Sequence, residues 1–288
     1  MNKGPTSILV SGILMGTLPI FVRNINLKSF DITFFRFLLG FSFILLFIII
    51  KDGRFELKKD KTVLLLSVFN VLTIFFYISS LQLSKVAISA LLLYMAPIYV
   101  TIISFFKHRF VNIKSLAITF IGLMGLYLML KPCQLLSEGL IFGLLSGISY
   151  AFVFILAKDA RRKFSAQDVT ASMLGISCIL YFPLFALINY EIILDPKTIL
   201  DTWFNLSQIP WILGLGLIPT AIPFTLFNYG IKYCKIERAP ILALIEPITV
   251  SFIGYFLFKE LLSLMQIFGA ILILISIFLS ISSEVEER

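Results

Sequence analysis

Histidine occurs once in this chain and cysteine three times, and none of the four stands near another. Cys133, Cys178 and Cys234 therefore lack the spacing of a disulfide framework or a metal site, and packing is their expected role. With no His or Cys cluster and no Walker sequence, neither a metal nor a cofactor is expected, and ATP hydrolysis is unsupported. Enzyme chemistry within a membrane is excluded on the same ground. The single histidine, His108, falls in a loop, far from any serine at depth, and the two aspartates Asp31 and Asp168 open their segments at opposite faces. Charge is scarce as well: Asp, Glu, Lys and Arg make up 14% of the residues, too few for the surface of an ordinary soluble domain.

What is abundant is apolar. Hydrophobic residues reach 59% and the mean hydropathy is +1.01, so the solvent is lipid. A helix crossing the hydrocarbon core needs roughly 20 apolar residues, which leaves room for about ten crossings. The expected spans are Thr6 to Val22, Phe30 to Ile50, Thr62 to Leu83, Val86 to Phe106, Ile113 to Leu130, Glu138 to Ala157, Asp168 to Tyr190, Leu206 to Ile231, Ala239 to Phe258 and Ser263 to Ser282. The first is read as a span rather than a signal peptide, since no small-x-small cleavage site follows it and it contains Pro19.

The 24 Lys and Arg exceed the 16 Asp and Glu, but they sit in short connections, so they specify orientation and not nucleic-acid binding. Placing the N-terminus inside gives 17 basic residues to the inner connections, among them Lys51, Arg54, Lys58 and Arg161 to Lys163. Six fall outside: Arg23, Lys28, Lys85, Lys131, Lys197 and Lys259. Both termini are therefore expected in the cytoplasm, in a multi-pass protein of the cytoplasmic membrane.

Two stretches correspond at a distance of about 150 residues. SALLLYMAPIYVTIISFFKHRF (89–110) aligns with APILALIEPITVSFIGYFLFKE (239–260), setting Pro97 opposite Pro247. The first span carries Gly12-x-x-x-Gly16 and the sixth Gly143-x-x-x-Gly147, a spacing that suits close helix packing. Five spans per half is an odd number, so the second copy would enter the membrane from the opposite side.

These residues resemble the EamA-type transporters of the drug/metabolite transporter superfamily. The resemblance lies in LIEPITVSFIGYFLFKELLSLMQIFGAILILIS, in LQLSKVAISALLLYMAPIYVTIIS, and in the Arg36 of FFRFLLG. It implies an all-α membrane protein of ten helices in two inverted five-helix repeats, residues 1–135 and 136–288, that carries small metabolites through a central cavity. Amino acids and related amines are the substrate class it suggests. Where the first repeat of such proteins often shows Gly-Glu-Arg, this chain has Lys107-His108-Arg109, so no role for that carboxylate carries over.

The residues themselves point to the centre. Glu246 lies about eight residues, or roughly 12 Å of helix, inside the ninth span. An ionised side chain there costs at least about 2.5 kcal/mol against lipid, so it must face a wet cavity, meet a partner or carry a proton. Pro247 deprives the Ala243 carbonyl of its helical donor, Pro97 does the same to Leu93, and Pro219 with Pro223 is expected to leave Leu215 and Pro219 unpaired in a bent eighth span. Such bends are either gates or fixed kinks. Arg36 is expected to snorkel outward or pair with Asp31, with an anionic substrate group as the sharper alternative. Tyr94, Tyr99, Tyr150 and Tyr181, with Asn70 and Asn228 nearer the inner side, complete the expected binding set.

The function expected is alternating access around a midplane cavity, with protons as a further partner. A channel or passive facilitator is the alternative, although one intramembrane Glu makes no ring of charge. Monomer and homodimer both stay open.

Overall fold

The computed structural model describes residues 3–84, 86–108, 113–130, 139–194, 203 and 206–286. The expected division at 135/136, Cys133 and the side chains of Lys107, His108 and Arg109 lie outside the described residues. Among the described residues the chain is helical throughout and contains no strand. Ten stretches are long and apolar enough to cross a membrane, which makes this a multi-pass membrane protein. They are Lys3–Val22, Ser29–Asp52, Lys61–Leu83, Val86–Ser104, Ile113–Leu130, Leu140–Lys163, Ala166–Ile188, Ile209–Ile231, Ala239–Phe258 and Leu264–Ser283, called spans one to ten below.

Each expected span has its counterpart, and the ends differ for local reasons. Span six runs on past Ala157 to Lys163, because Arg161, Arg162 and Lys163 in its last turn complement the negative end of the helix dipole. Span seven starts at Ala166, where the Ser165 hydroxyl accepts from the Asp168 amide at 3.1 Å. Span three is capped by Asp60, whose carboxylate accepts from the Thr62 amide at 2.9 Å and meets Lys163 at 2.9 Å.

Three spans are broken and a fourth is distorted. Span four divides between Leu93 and Ala96, and span nine at Leu244, each just ahead of its proline. Span one divides as well, at Gly16–Thr17 ahead of Pro19, a break the sequence reading did not anticipate. Span eight stays continuous but widens to a π-turn over Leu217–Ala221 between its two prolines.

Packing links the ends of the chain to its middle. Span one lies against spans eight and nine, while span six lies against spans three and four. Spans two and seven pair with each other, as do spans five and ten. Side-chain bonds at the two ends of the bundle fall into two sets. One end holds Arg23 with Glu260, Asn26 with Gln208 and Asp31 with Asn189; the other holds Lys163 with Asp60, Lys58 with Ser172 and Arg161 with Asn228. Successive spans thus alternate in direction.

Candidate functional site

A cavity of about 280 Å³ opens at the centre of the bundle, beside the breaks in spans one, four and nine. Its wall is mostly apolar, with Met15, Leu18, Phe224 and Val250 among the lining side chains. Into it project Glu246, Arg36, Tyr94, Tyr150, Tyr77, Asn70 and Thr73. A carboxylate and a guanidinium at membrane depth are costly against hydrocarbon, and both are here given a polar enclosure instead.

Glu246 stands in the first turn of the second half of span nine, after the break at Leu244. Close approach by span one holds that break. A Cβ on Gly12 would collide with the Ile245 side chain, and one on Gly16 would lie 2.5 Å from Thr249 and 3.1 Å from the Glu246 carbonyl. Only glycine lets the helices meet so tightly. The same clasp recurs on the other side, where Gly143 and Gly147 of span six meet Leu92 beside the break in span four, Gly147 against the Leu92 carbonyl itself. Glu246 is partly accessible because it opens into the cavity. The Tyr94 hydroxyl is its hydrogen-bond partner, and Tyr77, Tyr150 and Arg36 line the same cavity.

Arg36 overturns two expectations at once. It neither snorkels outward nor pairs with Asp31: five residues apart on a helix is about 140° of rotation, so the two side chains leave different faces. Asp31 instead accepts from the Asn189 amide at 2.6 Å. Arg36 turns inward to span eight, donating through Nε to the Thr220 hydroxyl at 3.0 Å and through Nη2 to the Pro219 carbonyl at 3.1 Å. The two carbonyls expected to be unpaired are therefore both satisfied. Pro223 frees the Pro219 carbonyl, which Arg36 takes; Pro219 frees the Leu215 carbonyl, which the Thr220 hydroxyl takes at 2.8 Å. The hydroxyl's proton is thus committed to Leu215 and its lone pair to Arg36. An intramembrane guanidinium ends up with a built socket, and its charge still faces the cavity.

Of the other residues expected at the site, Tyr94, Tyr150 and Asn70 line the cavity, Asn70 also donating to the Ser177 hydroxyl at 3.2 Å. Tyr99, Tyr181 and Asn228 do not. Tyr99 packs beside Gly147, Tyr181 is buried edge-on against Phe37 with ring centres 5.8 Å apart, and Asn228 donates to the Thr170 hydroxyl at 3.0 Å. Depth in the membrane did not reveal which face of the helix these residues occupy. Tyr77 and Thr73 were overlooked, yet Asn70, Thr73 and Tyr77 follow the i, i+3, i+7 spacing of one helix face. Among the described residues no group of His, Cys, Asp and Glu could hold a metal ion.

Comparisons with known proteins agree with this architecture. The model of the EamA-like transporter family matches twice, over residues 2–131 and 137–282. An uncharacterized transporter of Archaeoglobus fulgidus is 42% identical over 280 residues, with 97% of each chain covered. A Rickettsia bellii protein named S-adenosylmethionine uptake transporter is 26% identical over 267 residues, which is 90% of this chain and 86% of that one. Among solved structures, a crystal structure with 18% sequence identity gives a TM-score of 0.78 over 97% of this chain and 98% of its own, a likeness of fold.

Proposed function

Because the chain belongs to the EamA-like transporter family, we propose that it is a secondary transporter which moves an amino acid or related amine across the cytoplasmic membrane by alternating access. The observation that carries this reading is the presence of both Glu246 and Arg36 in the wall of one central cavity. A substrate ammonium group suits the carboxylate and a substrate carboxylate suits the guanidinium, while the apolar wall accepts the side chain. The name of the Rickettsia relative favours the same class, since S-adenosylmethionine carries an amino-acid head group.

In this reading residues 1–135 and 136–288 are two inverted repeats with both termini cytoplasmic, and they rock about the cavity. The reciprocal packing of span one on span nine and of span six on span four supports it, as does the basic bias of the connections at one end. The prolines Pro97, Pro247, Pro219 and Pro223 soften the spans where they must flex, and Gly12, Gly16, Gly143 and Gly147 keep the breaks in contact with the opposite half. Glu246 exchanges a proton when the substrate's ammonium leaves, which couples transport to the proton gradient.

Thermal-shift screening of the purified protein against a metabolite panel identifies the substrate, because a ligand that binds the folded state raises its apparent stability. Uptake of that ligand into proteoliposomes is then expected to follow an imposed proton gradient and to lose that dependence in Glu246→Gln. Unchanged proton dependence in the variant removes the coupling role of Glu246. Uptake indifferent to the gradient in the native protein leaves a passive facilitator, in which Glu246 only contacts the substrate's amine.

A further inference from the structure

The cavity extends from Asn70 and Phe227, on the side of the Lys163–Asp60 end, toward the end that carries Arg23, where Leu18 and Pro19 form part of its wall. Those two residues belong to a separate piece of span one. The first helix ends at Met15, and in the turn that follows both the amide and the hydroxyl of Thr17 donate to the Leu14 carbonyl, at 3.2 and 2.7 Å. Pro19 has no amide hydrogen to offer the Met15 carbonyl, so the regular hydrogen-bond ladder is interrupted there. The five residues Leu18–Val22 hang from a turn.

This piece is held at two points: Phe21, 8% exposed, packs edge-on against Trp211 of span eight with ring centres 6.2 Å apart, and beyond it Arg23 fastens the free end. The Arg23 guanidinium meets Glu260 at 2.5 Å and lies 3.9 Å over the Phe258 ring. Glu260 is brought there by a turn that breaks a local rule: Lys259 has φ 55°, the one positive φ outside glycine among the described residues. The Glu260 amide donates back to the Gly254 carbonyl at 3.0 Å, and its carboxylate covers Gly254 so closely that a Cβ would lie 2.7 Å from it. An unfavourable backbone and a bare glycine both serve to aim one carboxylate at span one.

The opposite end of the bundle is closed differently. Ser104 of span four bonds Glu237, Lys158 of span six bonds the Cys234 carbonyl, and Arg161 donates to the Asn228 carbonyl at 2.8 Å. These groups are buried or half-buried, and Cys234 is 2% exposed, so this end keeps buried bonds beneath its own surface pair, Lys163–Asp60. Arg23 and Glu260, in contrast, are 51% and 53% exposed, so water and salt screen their attraction.

We propose that Leu18–Val22 is a gate over the central cavity and that the Arg23–Glu260 pair is its latch. The screened latch yields before the buried bonds at the other end, so the cavity opens first at the Arg23 end. The gate's part in transport rests on the carrier reading above, but the gate itself can be tested without transport.

A Leu18→Cys variant in a Cys133→Ser, Cys178→Ser, Cys234→Ser background, placed in nanodiscs that present both faces, is treated with a charged maleimide. Adding Arg23→Gln or Glu260→Gln is expected to raise the labelling rate at least threefold, and exchanging the partners as Arg23→Glu with Glu260→Arg is expected to restore the slow rate. Raising KCl is expected to speed labelling of the parent Leu18→Cys protein with the latch intact, which guards against latch variants that fail to fold. Native Cys234, retained alone, is expected to stay unreactive throughout. Rates within twofold of the parent in both single variants, no response to salt, or a parallel rise at Cys234 would each overturn the gate. Failure of transport with these labelling results intact would instead count against the carrier reading.

Discussion

Spans four and nine are broken in the same way and equipped differently. Both carry a proline after a one-turn interruption, and both are gripped by a pair of glycines from a span of the other half. At the residue before the proline, span nine has Glu246, facing a cavity, and span four has Ala96, 1% exposed and packed in the core. The break is a property of the backbone, since a missing amide hydrogen opens the ladder whatever side chain precedes it. The carboxylate is a separate addition, tolerated only where polar groups surround it.

Moving that carboxylate is the harshest way to break the comparison. Ala96→Glu would bury a charge with no cavity to receive it, at a cost of about 3–5 kcal/mol, enough to unfold many proteins. Glu246→Ala, in contrast, leaves only a larger cavity and is expected to keep the fold. Thermal unfolding in detergent separates them; equal midpoints would mean that the two breaks share one environment.

A gentler test compares the two clasps. The Cβ of Gly147→Ala would meet the backbone carbonyl of Leu92, which cannot move without shifting its helix, whereas that of Gly12→Ala would meet the Cγ2 methyl of Ile245, stiff at χ1 but movable without a shift of the backbone. Overpacking costs roughly 1–3 kcal/mol, and the first kind is expected at the upper part of that range and the second at the lower. The observable is the difference in unfolding midpoint, and a larger loss in Gly12→Ala would reverse the inference about which break is the more rigid.

The legibility of these features in the sequence follows their physical range. Spans could be read because lipid imposes a length, and the breaks at Pro97 and Pro247 because proline acts on its own helical turn. Glu246 stood out because a lone charge at depth is costly. Arg36 could be seen, but its partners could not. They are carbonyl and hydroxyl groups some 180 residues away, and nothing in the local sequence says that the oxygen freed by Pro223 faces span two. Depth alone places Tyr181 and Asn228 at the level of the cavity. In helices apolar on every side, periodicity gives little contrast between the faces, so only packing decides which tyrosine is lining and which is core.

The smallest effect concerns how the corresponding spans three and eight begin. Span three has the Asp60 cap, whereas Gln208 ahead of span eight makes no cap bond and instead accepts from the Asn26 amide at 3.0 Å. Lys163 and the Thr62 amide hold the Asp60 carboxyl below its ordinary range. A carboxyl depressed on folding contributes stability above its unfolded value, near about 3.9, and loses it as pH falls through the lower folded value. Asp60→Asn keeps an acceptor for Thr62 but removes the charge facing Lys163, so its unfolding midpoint is expected to lie slightly below the native one at neutral pH and to converge with it in acid. Gln208→Ala, with no carboxylate involved, is expected to show an offset that does not change with pH. Were the Asp60→Asn difference also constant from neutral to acid conditions, the stabilisation at this end would come from the cap geometry that asparagine preserves, and the ion pair with Lys163 would contribute nothing measurable.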